Sequence, residues 1–148
     1  VLVKTTRWMR ILIGVMMVSM AAKVAAQTAV SIPTVTNMAL TLRNYVIGFI
    51  HLNTLGAITA LMFAHAVMRG WFNERLLLVR VAIGLFISGF ALSELLLFLQ
   101  GTLFWAGLGM MPGYYTVLLG FSMLLPIGVG SLLVHMLAMW PRSTSHDE

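Results

Sequence analysis

Charge is what this chain has least of. Only 9% of its 148 residues are Asp, Glu, Lys or Arg, against about 25% in a typical soluble domain. Between Val46 and Trp140 there are five. Arg69, Glu74, Arg75 and Arg80 lie together between apolar segments, and Glu94 stands alone. That deficit excludes an ordinary water-soluble domain. Cysteine is absent, which excludes disulfides, thiolate metal sites and cysteine nucleophiles. No Walker loop, HExxH motif, Ser-His-Asp set or carboxylate dyad occurs. Nucleotide chemistry and soluble-type hydrolysis therefore have no recognisable machinery. A net charge of +5 is no nucleic-acid signal here. The basic residues flank apolar runs, where they anchor topology, and no basic patch with interleaved aromatics is present.

What the chain does have is hydrophobicity, at 60% of residues. Apolar runs of about 20 residues are the length that crosses a bilayer as helices. Lipid offers no hydrogen-bond partners, so spanning segments are helical or form a closed barrel. The expected fold is all-α: an integral membrane helical bundle with three to four transmembrane helices.

The count depends on residues 1–26. Lys4, Arg7 and Arg10 precede an apolar stretch from Ile11 to Ala22, and Val24-Ala25-Ala26 resembles a small-residue cleavage site. That is the grammar of a secretory signal peptide. The rival is a signal-anchor or first span from Arg10 to Val30, with Lys23 buried in the bundle or snorkelling. Residues 27–44, rich in Thr, read as an external loop or lid. Residues 45–140 read as a three-helix core. Its spans are Tyr45–Met68, Leu76–Leu99 and Tyr114–Trp140, with a kink expected at Pro126. Gly101–Gly113 reads as an interfacial loop that partly re-enters the membrane. Residues 141–148 read as a polar cytoplasmic tail. Two faces are suited to close helix packing: Gly56, Ala60 and Ala64 on the second span, and Gly84 and Ser88 on the third.

Lys4, Arg7 and Arg10 place the N-terminus in the cytoplasm by the positive-inside rule, and Arg69, Arg75 and Arg80 place the second loop there too. The uncharged loop Gly101–Gly113 then lies outside, and Arg142 falls inside. Arg43 alone dissents. A bacterial inner membrane fits.

Ionisable groups within a membrane are costly and mark candidate sites. There are four: His51, His65, Glu94 and His135. His65 and His135 are expected at similar depth on different helices, as a bis-histidine haem b requires. Arg69, Arg75 and Arg80 would pair with its propionates. His51 and His65 are 14 residues apart, about 21 Å of rise on nearly one face of an ideal helix. The outer pair of a dihaem arrangement has no second histidine. The bland alternative is that His65 and His135 are helix-packing residues. Glu94 and His51 are expected at similar depth, where a carboxyl must be neutral or paired. A His51–Glu94 pair would move a proton, hold a quinone or clamp two helices, with Gln100 and Thr102 extending the polar site. Met110-Met111 offers Cu(I) only two thioethers.

The stretch Leu85-Phe86-Ile87, Ser93-Glu94-Leu95-Leu96-Leu97-Phe98 and Phe104-Trp105-Ala106 resembles the Ser-Glu aromatic helix of haem–copper oxidase subunit III. The spacing departs by several positions, and no residue role is carried over.

The leading functional expectation is a non-catalytic accessory or scaffold subunit. Its partners are the lipid bilayer and other membrane subunits or further copies of the chain. A b-type electron-transfer subunit with one haem, and a holin-like pore or small transporter component, are the alternatives.

Overall fold

The computed structural model of the chain describes residues 6–73 and 75–139. Lys4, Glu74, Arg142 and the polar tail 141–148 lie outside the described residues. Of the described residues 85% are helical, and no strand occurs among them. Helix α1 is Arg7–Ala29, α2 Pro33–Thr41, α3 Arg43–His51, α4 Ala60–Met68, α5 Leu77–Trp105 and α6 Tyr114–Met139. A π-helical segment, Leu52–Thr59, joins α3 to α4 without a break. Among the described residues, four rods are long and apolar enough to cross a membrane: Arg7–Ala29, Arg43–Met68, Leu77–Trp105 and Tyr114–Ala138. The all-α membrane-type bundle expected from the charge deficit is thus present, in its four-helix form.

Neighbours in sequence are neighbours in space. Helix α1 packs on the π segment and α4, α3 packs on α5, and α5 packs on α6. At one end of the bundle, Met9 and Leu12 of α1 meet Ala64 and Val67 of α4, Val79 and Ile83 of α5, and Leu132 of α6 in one buried cluster. Phe63 adds edge-to-face contacts with Phe72 and Phe86. At the opposite end, Asn44 donates to the Tyr114 hydroxyl at 3.0 Å, and Tyr45 and Thr102 hydroxyls lie 3.1 Å apart. Half of the α5 span is buried and only 11% of the α6 span, so α5 is the central post and α6 a peripheral one.

Glycine sets the closest approaches. A Cβ on Gly128 of α6 would lie 2.7 Å from the Ala82 carbonyl oxygen, and one on Gly89 of α5 would lie 2.8 Å from Leu124 Cβ. These two residues bring the α5 and α6 backbones together. The small face expected on the third span, Gly84 and Ser88, is elsewhere. A Cβ on Gly84 would have nothing within 4 Å among the described residues, and Ser88 is exposed. The face of the second span is internal: Ala60 and Ala64 are buried, and Gly56 fits against Ser19 and Phe90.

Two loops differ from expectation. Residues 27–44 are mostly helical, because α1 runs on to Ala29 and α2 fills Pro33–Thr41. The threonines that suggest a loop bond backwards instead, Thr36 to the Ile32 carbonyl and Thr41 to the Asn37 carbonyl. Helix α5 continues past Leu99 to Trp105. The turn beyond it uses Gly107, Gly109 and Gly113 at positive φ, where glycine carries no Cβ penalty. Helix α1 passes through Val24-Ala25-Ala26 unbroken.

Candidate functional site

Helices α3 and α5 cross where Gly48 faces Glu94 and Phe98. A Cβ there would lie 3.4 Å from Glu94 Oε2. One turn on, His51 Nδ1 stands 3.6 Å from Glu94 Oε1. Glu94 is 6% exposed, whereas the His51 side chain is 38% exposed. The structure therefore brings together the two residues that the sequence pairs by depth. Their separation is beyond hydrogen-bond length. His51 Nδ1 and both carboxylate oxygens are buried without a hydrogen-bond partner among the described residues. An imidazole and a carboxyl so placed attract strongly in low dielectric when oppositely charged.

The π segment begins directly after His51. Its wider i→i+5 turn is echoed by side chains: Thr59 Oγ1 donates to the Thr54 carbonyl five residues back, at 2.9 Å. Here the segment separates two registers. His51 faces α5, while Asn53 and Gly56 face α1. Lys23 Nζ donates to Asn53 Oδ1 at 3.0 Å, so the lysine that interrupts the first apolar run has an interhelical acceptor. Sequence reasoning missed Asn53 and the π segment. The signal for Asn53 was an amide among apolar residues opposite a lone lysine.

That segment also corrects the histidine geometry. An ideal α-helix puts His51 and His65 on nearly one face. A π turn takes more residues per revolution, so eight π residues rotate the chain less than eight α residues. His65 consequently points away from the bundle, on a stripe with exposed Leu61, Met62, Met68 and Arg69. Its Nε2 accepts from Arg69 Nε at 3.4 Å, and its ring lies edge-on to Trp71. His135 on α6 is half-buried, and its Nε2 has no hydrogen-bond partner among the described residues. No hydrogen bond or ring contact links His65 to His135 among the described residues. No group of three or more His, Cys, Asp or Glu able to hold a metal occurs among them. Arg75 and Arg80 line a cavity with α1 rather than with His65.

Gln100 and Thr102 are occupied elsewhere. Gln100 is fully buried. Its Nε2 donates to the Gly109 carbonyl and its Oε1 accepts from the Met111 amide, both at 3.0 Å. It pins the turn that follows α5. Thr102 Oγ1 donates to the Phe98 carbonyl at 2.8 Å. An apolar cavity of about 570 Å³ lies among α1, α2, α3 and α5, lined by Ala26, Val30, Val35, Tyr45, Phe49 and Phe98 among others. Phe98 also packs beside Gly48.

No family model matches this chain, and no curated protein or solved structure matches it either.

Proposed function

We propose that this protein is a non-catalytic accessory subunit that packs within the bilayer against other membrane subunits or further copies of itself. The observation that carries the reading is the outer face of α5. Gly84 has open space around it, and Ser88 is exposed and turns its hydroxyl inward onto the Gly84 carbonyl at 2.8 Å. Exposed Val81 and Leu95 flank the two. A smooth, self-satisfied small-residue groove of this kind admits a neighbouring helix closely. The corresponding face of the second span is already filled by α1 and α5. In this reading the His51–Glu94 pair is a clamp between α3 and α5. The proposed setting is a bacterial inner membrane with the arginine-rich end of the bundle cytoplasmic, motivated by the positive-inside rule.

The absence of native cysteine makes the test clean. Ser88→Cys supplies a single thiol for disulfide trapping in native membranes, and tagged protein extracted in native-membrane nanodiscs reports co-purifying subunits. The expected result is a trapped adduct, or a stoichiometric partner, that is lost in Ser88→Leu. A monodisperse monomer without partner or adduct would overturn the proposal.

A further inference from the structure

The end of the bundle where α1 and α5 begin holds a second cavity, of about 400 Å³, lined by Arg7, Trp8, Ile11, Arg75 and Arg80. Arg7 is the first residue of α1, and Arg75 and Arg80 bracket the start of α5. Neither helix carries an acidic residue in its first turn. The first turns of two helices and the side chains of Arg7, Arg75 and Arg80 therefore border one space. Cations at helix N-termini are unfavourable, and an anion there is favourable. Arg80 Nη2 is held on the Arg75 carbonyl oxygen at 2.8 Å, which fixes one guanidinium at the wall. The guanidinium groups of Arg7 and Arg75 make no hydrogen bond or ion pair among the described residues. Trp8 and Ile11 supply an apolar wall on the side of the α1 span, and Trp8 has the character of an interfacial anchor.

We propose that this cavity binds the phosphate of an anionic phospholipid head group. Forked guanidinium donors match phosphate oxygens in pairs. Basic pockets between transmembrane helices at a membrane face take lipid head groups in this way. A lipid is the source because the wall beside the arginines is apolar and continues into the α1 span. The glycerol and upper acyl carbons then have a surface to lie on. A free phosphate would use only the arginines.

The test compares wild-type protein, Arg7→Gln/Arg75→Gln, and Arg43→Gln at the opposite end of the bundle. Each is titrated in micelles with phosphatidylglycerol or phosphatidylcholine, and retained lipid is read by native mass spectrometry. A further arm adds inorganic phosphate at equal concentration. The expected result is preferential retention of phosphatidylglycerol by wild type and Arg43→Gln. Loss of two arginines weakens that retention by about 30-fold. Equal retention of the two lipids by wild type overturns the proposal without reference to any variant. So does unchanged retention in the double variant. Displacement of the lipid by inorganic phosphate at equal concentration would reassign the cavity to a soluble phosphate and overturn the lipid source. Should the glutamine variant not fold, Arg7→Lys/Arg75→Lys keeps the charge and removes the forks. Reduced phosphatidylglycerol retention there supports the site, and full retention counts against guanidinium recognition.

Discussion

Gly128→Ala tests the packing account most directly. The added Cβ would lie 2.7 Å from the Ala82 carbonyl oxygen and 3.0 Å from the Phe86 amide nitrogen. Both are backbone atoms of α5, so no side chain can swing aside. The helices must separate, and overpacking of this kind costs about 1–3 kcal/mol. Replacing glycine by alanine within a helix also gains about 1 kcal/mol of propensity. Gly120→Ala, on the same helix, isolates that gain, because nothing lies within 4 Å of its Cβ. The difference between the two variants is then the overpacking cost alone. Unfolding free energies from SDS titration in mixed micelles, followed by helicity, measure it. Gly120→Ala should be as stable as wild type or more so, and Gly128→Ala should lie about 1–3 kcal/mol below Gly120→Ala. Gly89→Ala pushes on the same interface, where its Cβ meets Leu124 and the Phe121 carbonyl. Its effect should therefore combine with that of Gly128→Ala non-additively. A difference below about 0.5 kcal/mol between the Gly128 and Gly120 variants, within the scatter of unremarkable surface changes, would refute the close α5–α6 approach.

A double-mutant cycle with His51→Ala and Glu94→Gln should give a coupling of about 1 kcal/mol, as for interhelical polar pairs in membranes; zero coupling would dismiss the clamp. Gln100→Ala removes both side-chain bonds to the turn after α5, at about 1–3 kcal/mol for buried groups left unpaired. Hydrogen exchange should then rise at Gly109 and Met111 while the spans stay protected, and unchanged exchange there would remove the pinning role. A pyridine haemochrome assay on protein from haem-replete cells should find no b-type haem, because His65 points outward and is held by Arg69. A stoichiometric haem lost in both His65→Ala and His135→Ala would show that the two histidines meet.

The sequence by itself determined the class of object. A near absence of charge over residues 46–140 leaves helices in lipid as the economical way to satisfy the backbone, and hydropathy marks where they lie. It also made His51 and Glu94 partners, since depth along antiparallel spans follows from counting residues. Rotation about the helix axis was not legible in the same way. Identifying the inward face of a soluble helix relies on polar residues marking the outside, and in a membrane both faces are apolar. Hydropathy does not separate Gly84 and Ser88, the small face expected from the sequence, from Gly89, yet of these three it is Gly89 that packs closely on α6. The π segment Leu52–Thr59 has no mark in composition, and it turned His65 out of the bundle by changing the rotation per residue. Lys23 found Asn53, Asn44 found Tyr114, and Arg7 came to line one cavity with Arg75 and Arg80, across distances in sequence that no local pattern encodes. Those pairings depend on which helix stands beside which, and only tertiary packing decides that.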